Sequence, residues 1–272
     1  MAAPLTLLDT LMAQGPVQLV RVARAEGSVP REAGAWMAVA ADDVVGTIGG
    51  GHLEWQATAL ARERLALAPG AVLERRFALG PSLGQCCGGA VWLRLEPLTP
   101  AVRAELAAAE AAGRWPLALF GGGHVGQAIV DVLDGLPFAL RWIDSRDGIF
   151  PRADTLPAQV QCEHSDPVQG AVADLAPGSR VLIMSFSHAE DLDIVAACLL
   201  RLRRHNDLPF IGLIGSQTKW ATFRHRLEQR GFTAAELAHI TCPIGVPGIT
   251  GKEPRVIAVA VAAQLLQMLP SG

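Results

Sequence analysis

The hexapeptide Gly121-Gly122-Gly123-His124-Val125-Gly126 constrains the fold of this chain more than any other stretch. It satisfies the pattern G-x-G-x-x-G, follows directly on an apolar run at residues 116–120 and opens a helical pattern at residues 125–133. Small residues there let a backbone approach a diphosphate, and the start of a helix offers N–H groups and the positive end of a dipole to an anion. Asp144 stands about 20 residues onward, after a second apolar run, where dinucleotide-binding folds place an acid on a ribose hydroxyl. Strand, glycine turn, helix and acid together predict a Rossmann-like fold. Two readings of the ligand stay open. Either Gly121, Gly123, Gly126 and Asp144 form a phosphate or nucleotide site, or the glycines serve tight strand-to-helix packing and Asp144 caps the turn Asp144-Ser145-Arg146. Arg146 could also meet a phosphate in its own right.

The remaining pattern agrees with that core. Apolar runs at residues 116–120, 138–143, 181–185 and 210–214 alternate with helical patterns at 125–133, 192–203 and 220–229, which predicts a parallel sheet covered by helices. Upstream, strand patterns at 17–25, 35–40, 44–48, 73–78 and 90–95 surround a helical stretch at 52–67. The expected class is α/β. An N-terminal α+β domain covers residues 1–98, a helical connector entered through Thr99 and Pro100 covers 99–115, and a Rossmann-like domain covers 116–272.

Composition excludes several function classes. A net charge of -3 and a pI near 6.2 give no global basic field, so neither nucleic acid nor anionic lipid is an expected partner. The opening residues 1–11 lack a basic stretch followed by a continuous apolar one, which argues against a secretory signal. The apolar run at 256–269 is shorter than the ~20 residues needed to span a bilayer and contains Gln264 and Gln267, so it reads as a core helix. Five cysteines, an odd number in a chain large enough to fold by burial, point to free thiols and a reducing, cytoplasmic compartment.

Gln85-Cys86-Cys87-Gly88-Gly89 is the second candidate site. It lies in a glycine-bounded loop without strand or helix periodicity, soft sulfur suits molybdenum or sulfur-transfer chemistry, and the Gln85 amide can donate to an oxo or pterin oxygen. Cys242, before Pro243-Ile244-Gly245, either meets Cys86 across the domains or is a packed thiol ahead of a turn, and Cys162 and Cys198 are assigned to structure. His52 and Glu54 are two apart on a helix and do not share a face, so Glu54 is expected to serve the helix dipole or the Pro30-Arg31 loop rather than a metal. His188 falls at the carboxyl edge of the sheet, and Asp191 and Asp193 are expected to cap or flank the following helix.

Taken together, Gly27-Ser28-Val29-Pro30-Arg31, Gly34-Ala35-Trp36-Met37, the stretch from Gly46 to Glu54 and Gln85-Cys86-Cys87-Gly88-Gly89 resemble the XdhC/CoxI family of xanthine dehydrogenase accessory proteins. In the second half, the run from Phe120 to Gly126, Asp144-Ser145-Arg146, the His188 region, Gly212-Leu213-Ile214-Gly215-Ser216 with Lys219, and Pro243-Ile244-Gly245 look like its Rossmann-type domain. The resemblance implies a chaperone rather than an enzyme, with no catalytic residue. Such a chaperone binds the molybdenum cofactor in its molybdopterin form, protects it during sulfuration by a cysteine desulfurase, and inserts it into the cofactor-bearing subunit of xanthine dehydrogenase. Carried over by position, Gln85, Cys86 and Cys87 are the cofactor residues, with Cys86 as the molybdenum contact, Cys242 a weaker candidate, and a homo-oligomer expected. The sequence departs from the family after Gly245, where Val246-Pro247-Gly248-Ile249-Thr250-Gly251-Lys252-Glu253 replaces an acidic, threonine-containing turn. Two rival classes remain: an NAD(P)-dependent oxidoreductase, for which His188 is the sole evident proton donor, and an assembly scaffold that binds no cofactor.

Overall fold

Leu19 and Val20 are neighbours, both fully buried, yet they belong to different cores, because successive residues of a strand face opposite sides of a sheet. That alternation organises the first of two compact units, Met1–Glu110 and Ala111–Gly272, in a computed structural model that describes residues 4–49, 51–66, 72–79 and 88–270. In the first unit, α1 (Pro4–Gln14) precedes β1 (Gln18–Glu26), β2 (Trp36–Val39), β3 (Val44–Gly46), α2 (Gly51–Ala66), β4 (Leu73–Ala78), β5 (Ala90–Pro97) and α3 (Pro100–Ala112). The strands form an antiparallel sheet in the order β3-β2-β1-β5-β4.

On one face, Val20, Val22, Met37, Val39, Leu93 and Leu95 meet Leu53, Ala57 and Ala61, a fourfold-spaced stripe of α2. On the other, Leu19 and Ala38 meet Leu8 and Leu11 of α1 and Leu106 of α3. Thr99 caps α3 through Val102 N–H at 3.2 Å, as its position predicts. The sequence pattern does not predict helix α1; its buried Leu8 and Leu11 make it part of the core.

The second unit carries β6 (Trp115–Phe120), α4 (His124–Leu133), β7 (Phe138–Asp144), β8 (Val160–His164), β9 (Arg180–Ile183), α5 (His188–His205), β10 (Phe210–Leu213), α6 (Gln217–Gln229), α7 (Ala234–Leu237), β11 (Ile240–Thr241) and α8 (Pro254–Gln267). All six strands are parallel, in the order β11-β10-β9-β6-β7-β8. Read from β8, this is the 3-2-1-4-5-6 order of dinucleotide-binding sheets, and the order reverses between β6 and β9. One core, under α5 and α6, holds Phe120, Ile183, Val195 and Phe223; the other, under α4 and α8, holds Trp142, Ile129, Val261 and Leu265.

The four strands read from apolar runs are the four inner strands of the sheet. β8 and β11 were missed because they are short edge strands; in β8 Gln161, Cys162 and His164 are exposed, so no apolar run marks it. Cys162, assigned to structure on sequence, is thus an exposed thiol, whereas Cys198 is fully buried.

A 3-10 stretch, Val168–Asp174, replaces a full helix between β8 and β9, and Arg201 holds it in place. Its guanidinium donates to the carbonyls of Val172 (2.7 Å), Ala173 (3.2 Å) and Leu175 (2.7 Å) and to both oxygens of Asp207 (3.0 and 2.6 Å). Arg201→Ala leaves a half-buried carboxylate and three carbonyls without that donor and is expected to cost about 3 kcal/mol in urea denaturation. Arg224→Ala, which breaks an exposed pair with Glu228, is expected to cost less than about 0.5 kcal/mol in the same assay.

Candidate functional site

Strand β7 fixes the glycine loop that follows β6. Trp142 and Asp144, two apart, point to the same side of the sheet. The buried Trp142 indole donates to the Gly121 carbonyl at 2.9 Å, and the Gly122 N–H donates to Asp144 Oδ2 at 2.6 Å. Gly121 has φ +127, and a Cβ there would collide with the carbonyl oxygen of Met184. A Cβ at Gly126 would collide with the Gly121 carbonyl, so this glycine permits α4 to pack on the loop. Gly123 differs. It is the N-cap of α4 in ordinary extended conformation, bears no side-chain cap, and a Cβ there would meet nothing within 4 Å. The chain itself does not require a glycine at 123, and its absent side chain leaves the amino end of α4 open to an outside group.

Asp144 sits at the carboxyl end of β7, 2% exposed, as the motif places it. Besides Gly122, its carboxylate accepts from Arg146 N (2.9 Å), Arg146 Nε (2.9 Å) and Arg146 Nη2 (2.8 Å). Two bonds reach each oxygen, which fills the roughly four acceptor positions of a carboxylate. Burial on its own would raise this carboxyl; the guanidinium of Arg146 with the Gly122 and Arg146 N–H groups overcomes it and holds Asp144 below the ordinary value. The turn-capping role weighed on sequence is present in the Arg146 N–H bond, joined by a two-pronged ion pair that the sequence did not announce.

A second polar cluster was missed. Asp191, buried near the start of α5, does not cap that helix; Ser187 does, through Glu190 N–H at 3.2 Å. Asp191 instead accepts from Ser185 N (2.8 Å), Ser185 Oγ (2.7 Å) and Lys219 Nζ (2.6 Å), and Lys219 also donates to the Ile214 carbonyl at 2.8 Å. The pair ties the loop after β9 to the loop after β10. Asp193, by contrast, is exposed and pairs with Arg230. One signal was available: Lys219 is one of two lysines in a chain with 23 basic residues, so arginine serves nearly every other cationic position. His188 opens α5 with its ring edge toward Phe223 at 6.1 Å.

Cys242 follows β11, half-buried, with its Sγ 4.0 Å from the Ser216 carbonyl. Burial pushes this thiol up and Asp191 adds to that, against Lys219, so at neutral pH it is a thiol rather than a thiolate. Gln85, Cys86 and Cys87 lie outside the described residues. What borders them is defined: Leu79 N–H donates to the Gly89 carbonyl at 2.8 Å, and a Cβ at Gly89 would strike the Glu26 carbonyl. Glu54 accepts from Thr47 Oγ1, Ile48 N (3.0 Å) and Gly49 N (3.2 Å). It therefore serves the turn before α2 rather than the Pro30-Arg31 loop, which packs on Gly49 directly. Among the described residues no group of three or more His, Cys, Asp or Glu is placed to hold a metal ion, and no helix is long and apolar enough to cross a membrane.

Comparison with known proteins follows the same division of the chain. A model of the XdhC Rossmann domain matches residues 117–265, more than half of the sequence, and a model of the XdhC and CoxI family matches residues 11–75. The uncharacterized protein YqeB of Escherichia coli K12 is 25% identical over 260 residues, which cover 93% of this chain and 43% of that protein. The chain thus spans less than half the length of this curated relative. A crystallised protein of Bacillus halodurans, described as a xanthine dehydrogenase, superposes with a TM-score of 0.73 at 21% identity, covering 98% of this chain and 95% of the other, a likeness that shows the fold.

The Asp144 arrangement has a pH signature. Its folded-state value is depressed, so its contribution to stability is complete above the unfolded value of about 3.9 and is lost as pH falls through the lower folded value. The difference in unfolding free energy between wild type and Asp144→Asn is expected to be flat from pH 7 to about 5 and to shrink below about pH 4. A difference that persists unchanged at the acid end would show that the charge of Asp144 is not what holds the loop.

Proposed function

The chain belongs to the XdhC and CoxI family, and from that premise we propose that it serves xanthine dehydrogenase maturation as a carrier of the molybdenum cofactor. In this reading it binds the molybdopterin form, shields it while a cysteine desulfurase supplies the terminal sulfur, and delivers it to the cofactor-bearing subunit of xanthine dehydrogenase. The observation that carries the reading is the open amino end of α4. There Gly121 and Gly126 are demanded by packing, while Gly123 leaves room for a ligand that the chain does not itself supply.

The loop fits a phosphate. It offers the helix start's N–H groups and dipole without a side-chain cap in competition. A phosphate would rest there. The family resemblance separately gives Gln85, Cys86 and Cys87 as the cofactor residues of the first unit, with the Cys86 sulfur as the contact to molybdenum. The cofactor brings the metal and the labile sulfur that the recipient enzyme uses. What this chain contributes is binding, orientation and exclusion of water, so no residue is assigned a catalytic step. Cys242, whose sulfur lies 4.0 Å from the Ser216 carbonyl, is given the smaller part of holding the loop after β11 against the start of α6. A carrier must also let go. Since each ~1.4 kcal/mol changes affinity tenfold, a grip on the order of micromolar, about 8 kcal/mol, protects the cargo and still permits release.

The test is anaerobic incubation of the purified protein with isolated molybdenum cofactor, followed by gel filtration and measurement of co-eluting molybdenum and pterin. Wild type is expected to retain both in near equal amounts, and Cys86→Ala to lose them. Retention by Cys86→Ala at the wild-type level would remove the thiol from the site. A wild type that retains neither would leave the oxidoreductase and scaffold readings.

A further inference from the structure

The crevice of an open α/β sheet lies where the strand order reverses, here between the carboxyl ends of β6 and β9. In this protein the segment after β7 reaches across that point. The Arg146 guanidinium lies 4.6 Å from the centre of the Phe186 ring, which follows β9, and Ser145 Oγ donates to Glu190 Oε1 at 2.7 Å. Ile149, from the same segment, packs on the glycine loop so closely that a Cβ at Gly122 would sit 2.8 Å from its Cγ1. Beneath these contacts the Asp144 carboxylate has its acceptor positions filled, three of the four bonds by Arg146.

We propose that Arg146 occupies the position that a nucleoside ribose takes in a dinucleotide-binding crevice, and that it makes this crevice refuse NAD-type ligands. A ribose diol would have to displace two charge-assisted bonds from a carboxylate that is 2% exposed, and would return two bonds from neutral hydroxyls. The exchange is unfavourable while the guanidinium is held in place by its fork on Asp144 and by the face of Phe186. Arg146 is therefore a specificity-determining residue: the sheet retains the dinucleotide topology and the acid, and the arginine keeps the acid from being read. This goes beyond the carrier reading and does not depend on it.

NADH supplies the probe, with binding followed by its fluorescence and by calorimetry. Wild type is expected to show no saturable binding at millimolar NADH. R146A, which frees the carboxylate, is expected to bind at least about tenfold more tightly, and the double variant D144N/R146A to lose that gain. F186A removes the ring that supports the guanidinium without touching the carboxylate and is expected to give a smaller gain; it decides the matter if R146A does not fold. Saturable NADH binding by wild type that R146A leaves unchanged or weakens would overturn the proposal. So would folded R146A and F186A, judged by circular dichroism, that both fail to gain binding. NADPH is the remaining arm: binding by wild type that R146A abolishes would make Arg146 a reader of the 2′-phosphate, and the proposal would fail.

Discussion

A buried carboxylate must have its acceptors filled or it destabilises the fold, and Asp144 meets that demand entirely from its own chain. Much of the second unit's ligand-facing geometry depends on it. One Asp144 oxygen holds the Gly122 N–H, the Trp142 indole two residues earlier holds the Gly121 carbonyl, and between them β7 sets the conformation of a loop that belongs to β6. The loop in turn aims the start of α4. The same carboxylate draws Arg146 back over the sheet, and that arginine reaches Phe186 beyond β9. Three strand ends are thus joined through a single acid.

The parts of this arrangement that could be read in the sequence are those set by local pattern. Apolar runs mark β6, β7, β9 and β10 because these are the inner strands of the sheet, where both neighbours and the covering helices favour apolar residues. The glycine loop and Asp144 followed from spacing. Edge strands β8 and β11 did not, since β8 is mostly polar and β11 has two residues. The pairing of the acids with their partners is not set by local pattern. Arg146 lies two residues from Asp144, but whether it turns back depends on the conformation of the intervening turn. Lys219 lies 28 residues from Asp191 and meets it only because β10 is laid beside β9.

In the first unit one carboxylate and close backbone approach together bring the loops into place. The turn before α2 is gathered by Glu54, Gly49 receives Pro30, and Gly89 lies against the carbonyls of Glu26 and Ser28. These contacts place the glycine motifs of the family resemblance beside one another at the border of the cysteine loop. Each unit thus draws loops that are distant in sequence together by bonds internal to that unit.

The measurement that bears most directly on the carrier role is the activation of xanthine dehydrogenase lacking its cofactor. The apoenzyme is mixed with isolated, sulfurated molybdenum cofactor, with and without an equal amount of this protein, and the appearance of dehydrogenase activity is followed over time. A carrier raises the rate and the final yield, and the advantage grows when the cofactor has first been left in aerobic buffer together with the protein. Activation indistinguishable from that obtained with an unrelated protein, under both conditions, would contradict the account.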